Sequence, residues 1–398
     1  MTRMTSRRVG LHRVFERGLP SMTSEAASVR ARRARMLAGA TLVAIGLAAC
    51  SSTDSGASGP LSAEDAAAVD QAKVEVENYT SNPPLVVEPL SKAPEKGMKV
   101  ASVTCTVNSC HPGQFEEAAT ALGWESTEYT YDLAQGPSGF VTAVRQALQA
   151  KPEALAILFV YPTDVIAAEI EQAKADGVVL VDVASALEAP PEGFVSCVNC
   201  APVLAANGKA EAAFITADAG AATEVGVVGD KTIDANRIAG GATTDELARI
   251  SPNTAVHDIN VGYAKTPQEN SQTIIAALQR NPNIDYLAFQ SPDLMPGVDQ
   301  ALGAAGLSDR VKVVSIDPSG ESQVAQLEQG MPNVWIGGDG PAYWWRAADA
   351  LARNSVGDRV DPAPVASIRV ITQDNLQLDM YAPPNYKAAF QTAWGVGG

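Results

Sequence analysis

From about Lys99 onward the chain repeats one pattern: a short unbroken apolar run, a longer amphipathic stretch, then another apolar run. Ala154 to Val160 and Gly177 to Val181 are such runs, and Thr163 to Ala175 between them has the length of a helix. A strand with one wet face alternates polar and apolar residues, whereas a run without polar interruption suits a strand covered on both faces. That arrangement is a parallel sheet with helices on either side. Lys99 to Val103 and Glu125 to Tyr131 are further strands. Between them Phe115 to Leu122 is a helix stopped by Gly123, and Gly139 to Ala150 is another, with Phe140, Val141, Val144 and Leu148 at helical spacing.

The pattern restarts after Gly220. Glu224 to Val228, Thr254 to Ile259, Ile284 to Phe289 and Val311 to Ile316 read as strands. Thr243 to Ile250, Glu269 to Gln279, Val298 to Ala305 and Gly320 to Gln329 read as helices. No repeat of 20–50 residues recurs, which excludes solenoids and propellers. The fold class is therefore α/β, with two doubly wound parallel-sheet lobes joined by a hinge. The expected boundaries are 98–216 with 339–355 for the first lobe and 217–338 with 356–378 for the second, leaving 379–398 as a C-terminal tail.

The first fifty residues read as an address. Residues 1–49 hold nine arginines and only Glu16 and Glu25 as acids. Arg30 to Arg35 is basic, and Met36 to Ala49 is uncharged and apolar. That run is too short for a membrane-spanning helix, which needs about 20 residues, but it suits a secretory leader. It closes on Leu47-Ala48-Ala49-Cys50 before a Ser/Gly-rich stretch, and so resembles the bacterial lipobox, in which the cysteine is lipidated and becomes the mature N-terminus. Residues 50–97 then form a lipidated cysteine and a tether holding the body at the outer face of the cell membrane, with a short helix at Ala63 to Glu77. The formal charge is −16 overall. Without the leader, 20 basic and 43 acidic residues remain. A body of that charge repels phosphate backbones, which excludes a nucleic-acid partner.

Several segments occur together in order: Tyr161-Pro162-Thr163-Asp164 after a strand, Ala173 to Leu180, Arg237-Ile238-Ala239-Gly240, Leu287 to Gln290, and Val311 to Asp317. Over roughly Met98 to Asp374 this order resembles the ribose-binding type of periplasmic solute-binding protein. The resemblance implies a monomer without cofactor or metal. Its lobes close on a small-molecule ligand and deliver it to an ABC permease. A ligand sensor that presents its closed form to a receptor kinase is the rival role. Ligands of open α/β sheets sit beyond the carboxyl ends of the strands, so the candidate contacts are residues just after strands. Asp317 and Arg237 match the family's ligand-binding carboxylate and arginine. Tyr161 holds a position where relatives carry an amide. Asn108, Ser109, Ser185, Ser291 and Asp339 follow strands, and Tyr263 completes the set.

The chain also departs from the family's sugar binders. Ser291-Pro292 stands where they place Asn-Asp, Ala184 where they place Asp, and Gly338 where they place Gln. Fewer polar anchors, together with Trp335, Tyr343, Trp344 and Trp345 near one strand end, favour a larger or more apolar ligand, although packing claims at least two of these rings.

Besides Cys50 there are Cys105, Cys110, Cys197 and Cys200. With strand order 2-1-3-4-5 in the first lobe, strands one and five lie about 14 Å apart. A disulfide spans at most ~7 Å between Cα atoms, so the local pairs Cys105–Cys110 and Cys197–Cys200 are favoured. Zinc on four thiolates and a redox-active Cys197/Cys200 pair are the alternatives. Enzymatic motifs are missing: there is no G-x-S-x-G, and Gly226 to Asp230 lacks a P-loop lysine.

Overall fold

The computed structural model describes residues 62–220 and 223–396. The leader and Cys50 lie outside them. The chain enters through helix α1 (Ala63–Asn78), capped by the Ser62 hydroxyl accepting from the Asp65 amide. The first sheet contains β1 (Lys99–Cys105), β2 (Glu125–Tyr131), β3 (Ala154–Leu158), β4 (Val179–Ala184) and β5 (Phe194–Asn199). Its order is β2-β1-β3-β4-β5, and every pairing is parallel. Helices α2 (Gln114–Leu122), α3 (Pro137–Gln149) and α4 (Ala167–Ala175) connect the strands. Every residue of β3 is buried, as an unbroken apolar run requires of a strand covered on both faces. Proline at the start of α3 supplies a preset φ where no N–H is needed.

The second sheet follows α5 (Ala201–Ala219). Its strands are β6 (Glu224–Gly229), β7 (Ala255–Asn260), β8 (Ile284–Phe289), β9 (Lys312–Ile316), β10 (Val334–Gly337) and β11 (Arg369–Ile371), in the order β11-β10-β9-β8-β6-β7. All pairs are parallel except β11, which runs antiparallel to β10. The helices are α6 (Asp234–Ile250), α7 (Pro267–Arg280), α8 (Val298–Ala304), the single turn α9 (Glu321–Val324), α10 (Ala342–Val356) and α11 (Tyr386–Trp394). A reciprocal capping box between Thr266 and Glu269 starts α7. Consecutive strand residues feed opposite cores: Val227 and Ala288 pack with Ala210 and Leu247, while Val228 and Phe289 pack with Ile274 and Leu302. Both faces of this sheet are thus covered.

The structure moves two boundaries. Helix α5 packs chiefly on α6 and reaches β9 and β10, so the chain enters the second lobe near Cys200 rather than at residue 216. Gly208 permits this packing, since a Cβ there would stand 2.2 Å from the Ala239 carbonyl oxygen. The C-terminal tail returns to the first lobe, where α11 lies on α2 and α10 and the rings of Trp345 and Trp394 stack with centroids 5.5 Å apart. Residues 62–97 are likewise built into the body. Helix α1 lies against α5 and buries Val69 and Ala72, and the segment after it bonds both lobes. The Tyr79 carbonyl accepts from the Val370 amide at 2.8 Å, and the Leu90 amide donates to the Ala393 carbonyl at 2.9 Å.

Candidate functional site

The carboxyl ends of both parallel sheets open onto one cleft. Ser109, Leu158 and Asn199 reach it from the first lobe, and Ile233, Ser291 and Asp317 from the second. The lobes touch directly across it. The Ser109 hydroxyl donates to Asp293 Oδ2 at 2.5 Å, and the Asp234 amide donates to the Val160 carbonyl at 3.0 Å. The two sheets are therefore drawn together over the cleft floor, in the closed arrangement that takes a ligand out of water.

Five of the residues singled out in the sequence meet here: Ser109, Tyr263, Ser291, Asp317 and Asp339. Asp317 follows β9 with φ at 63°, a left-handed conformation that Asp tolerates better than most residues. Its carboxyl makes no hydrogen bond. Burial first, then the charge of Asp293, pushes its pKa up to about 7 against the pull of the Arg369 guanidinium. Asp339 is held by the Nε–H of Arg346 and by the Ser367 amide, which donates to Oδ1 at 3.3 Å. Burial also raises the Tyr263 hydroxyl pKa, as does the nearby Asp293.

Four candidates lie elsewhere. Tyr161 is buried in the first lobe, where its ring packs on Phe140 and its hydroxyl donates to the Leu133 carbonyl at 3.3 Å. Ser185 is buried beside Cys197, its Oγ 3.6 Å from the sulfur, and accepts from the Leu187 amide. Asn108 is exposed in the turn after β1, where its carbonyl caps His111. Arg237 is half exposed, paired with Asp234 at 2.7 Å, and borders a separate hollow beside β6 and α6. The side chain one helical turn from Asp234 satisfies that carboxylate instead of reaching the cleft.

Sequence reasoning missed Asn199, Asn207, Asn236 and Gln290, all of which line the cleft. Asn207 had a signal: it is the one side-chain amide in a helix made mostly of small and apolar residues. Of the aromatic cluster only Tyr343 borders the cleft, its hydroxyl donating to the Ser109 carbonyl at 3.0 Å. Trp335, Trp344 and Trp345 are fully buried. Their indole area is spent on packing: Trp344 donates to the Cys110 carbonyl and Trp335 to that of Gln323.

Cys105–Cys110 and Cys197–Cys200 are disulfides in this structure, each with Cα atoms 5.6 Å apart. Among the described residues one trio, Asp182 with Cys197 and Cys200, brings metal-ligand atoms within reach of one another. The bond between its sulfurs removes the thiolates a metal would need.

Residues 113–358 match the sequence model of a family described as the periplasmic binding protein domain. No curated protein matches the sequence. Among solved structures, the chain is similar to the 5-methylthioribose transporter solute-binding protein of Thermotoga lettingae in complex with 5-methylthioribose. Identity is 18% and the TM-score 0.62, over 76% of this chain and 95% of that one. It is also similar to an ABC transporter solute-binding protein of Agrobacterium vitis bound with α-D-tagatopyranose, at 17% identity and a TM-score of 0.60 over 70% and 96%. A third, from Burkholderia graminis in complex with D-arabinose, shows 16% identity and a TM-score of 0.61 over 71% and 97%.

Proposed function

The chain belongs to the periplasmic binding protein domain family, and from that premise we propose that it captures a small sugar-like molecule in the interlobe cleft and delivers it to an ABC importer. It is a binding protein, not an enzyme, and the family places it outside the cytoplasm. The observation that carries the proposal is the cleft itself: two sets of strand ends face one another, and Ser109 and Asp293 join the lobes over it. Structurally similar proteins hold a pentose, a ketohexose and a methylthio-pentose. The apolar part of this cleft, with Phe159, Leu204 and Ile316 among its walls, suits a ligand that carries an apolar part beside its hydroxyls.

In this reading the protein works as a monomer. Cys50 carries the lipid that holds it at the membrane, and both disulfides stiffen loops next to the crossing and the cleft. The test is thermal stabilisation of the purified protein across pentoses, hexoses, polyols and thio-sugars. A saturable shift with the ligand recovered unchanged supports capture; chemical turnover, or no shift with any compound, removes it. Lipidation is checked separately by the mass of the N-terminal peptide and by release of a Cys50→Ser variant into the medium.

A further inference from the structure

The cleft is one-sided in its charge. Among the residues that line it are the carboxyls of Asp317 and Asp339, and no lysine, arginine or histidine. Asp339 already has partners in Arg346 and the Ser367 amide. Asp317 has none: no hydrogen bond or ion pair reaches its carboxyl, and the Arg369 guanidinium acts on it only through space. The Arg369 Nε–H donates to the Met380 carbonyl at 2.7 Å and Nη1 donates to Asn82 Oδ1, while the buried Nη2 has no hydrogen-bond partner.

Among the side chains that line the cleft, the unmet hydrogen-bonding demand has the same sign. Asn207 and Gln290 line the cleft and are more than nine-tenths buried, yet Asn207 Oδ1 and Gln290 Oε1 have no donor. Asn207 Oδ1 lies on the cleft side of α5, within 3.5 Å of where a Cβ on cleft-lining Gly338 would stand. Buried acceptors left without donors are costly, so this wall favours a bound molecule that brings donors. Three aromatic rings, Phe159, Tyr263 and Tyr343, border the same space. Aromatic rings beside a carboxylate form an environment that can stabilise an ammonium group.

Resting on the capture reading above, we propose that the ligand is cationic: a small hydroxylated organic molecule whose protonated amine sits on Asp317 while its other donors meet Asn207 and Gln290. An anionic sugar acid or sugar phosphate meets carboxylates and orphaned acceptors here, with no lining cation to receive it. A neutral polyol satisfies the amide oxygens but brings Asp317 no charge beyond the pull of Arg369. Since burial, then the charges of Asp293 and Asp339, raise the Asp317 pKa to about 7 against the pull of Arg369, a cation that binds there expels a proton, which a neutral ligand need not do.

The experiment uses compounds matched in shape and differing in charge: 1-amino-1-deoxysorbitol, sorbitol and gluconate, with amino, neutral and acidic forms of pentoses and hexoses beside them. Affinities are measured by calorimetry on the purified protein at pH 7 in two buffers of different ionisation enthalpy. The expected result is that the amine in the best-bound set binds at least tenfold more tightly than its neutral counterpart, with proton release, and that the acid does not bind. Asp317→Asn is expected to erase the preference for the amine. Asn accepts the left-handed backbone at this position as readily as Asp, so the variant tests charge and not folding. A neutral or acidic compound that binds as tightly as its amine overturns the charge assignment and leaves capture intact. So does a preference for the amine that survives Asp317→Asn. Silence from every compound in all three charge classes overturns capture along with it.

Discussion

Asp293 Oδ2 accepts two hydrogen bonds from Ser109, from the hydroxyl at 2.5 Å and from the backbone amide at 3.2 Å. Ser109 lies in a short turn after β1 and Asp293 in one after β8, so this pair ties one sheet's end to the other's across the cleft. A carboxylate accepting two bonds from one residue is a stronger latch than a single neutral contact. Asp293→Ala is expected to weaken ligand binding by about 1–3 kcal/mol, mainly through faster dissociation, and to enlarge the radius of gyration of the ligand-bound protein in solution scattering. Unchanged dissociation in the variant would mean that the closed form does not depend on the pair.

The cleft also predicts which substitutions leave binding alone. Arg237 has its guanidinium on Asp234 and faces another hollow, so Arg237→Ala is expected to keep wild-type affinity. Asn207→Ala replaces a helix residue with a better helix former, so folding should hold or improve while affinity falls by about 1–2 kcal/mol for the lost hydrogen bond. Titration of both variants with the same ligand decides it; the reverse ranking would shift the site toward α6.

The sheets were legible because strand burial on both faces writes itself as unbroken apolar runs, as at Ala154 to Leu158. Strand-end carboxylates were legible too, because Asp317 directly follows such a run. Arg237 was misplaced because a position in a motif does not say which carboxylate is nearer, and Asp234 lies one helical turn away. Asn207 was hidden because it reaches the cleft from inside a helix, where strand-end reasoning does not look. The passage of α5 into the second lobe was hidden for a related reason: α5 is apolar nearly all round, so no stripe points to one sheet. The return of the tail to the first lobe is hidden in the sequence because nothing local marks Trp394 as the stacking partner of Trp345.

Two buried carboxyls give stability a definite pH dependence. Burial pushes Asp182 up to about 7, with Ser185 and the Ala184 amide opposing only in part, and Glu211 up to about 8, against hydrogen bonds from Gln290 and Thr243. Both stay protonated in the fold at pH values where the unfolded chain has ionised them. Their contribution is therefore complete below the unfolded value near 4 and is lost as pH rises through 7 and 8. Buried His111, held neutral with its pKa lowered to about 3, acts in the opposite direction but only below about pH 6.5. Between pH 6.5 and 8 the carboxyls act without that opposition, and urea unfolding should show stability falling by about 1–3 kcal/mol. Glu211→Gln is expected to flatten the slope; stability that rises over this range would refute the account.

Both terminal segments run between the lobes and are bonded to each other. The Asn82 side-chain amide donates to the Ala382 carbonyl at 3.1 Å, and Asn82 Oδ1 accepts from Arg369 at 3.3 Å. On one side of this junction α1 and β11 belong to the second lobe; on the other, Leu90 pairs with Ala393 beside Trp394 in the first. The C-terminal strap also presses on the β10-to-α10 crossing, since a Cβ on Gly340 would stand 2.3 Å from the Tyr381 carbonyl oxygen. Two straps added to the crossings after β5, after β10 and between α10 and β11 should restrict how far the lobes swing apart. Asn82→Ala removes the bond between the straps and the Arg369 bond to Asn82 while leaving both straps packed, so stability should fall by about 1–3 kcal/mol, while ligand dissociation accelerates several-fold. Trp394→Ala separates the roles: it takes a stacked, buried indole from the first-lobe core and is expected to cost about 3–5 kcal/mol of stability. If Asn82→Ala slows or leaves unchanged the exchange of ligand, the straps stiffen the lobes without governing their opening.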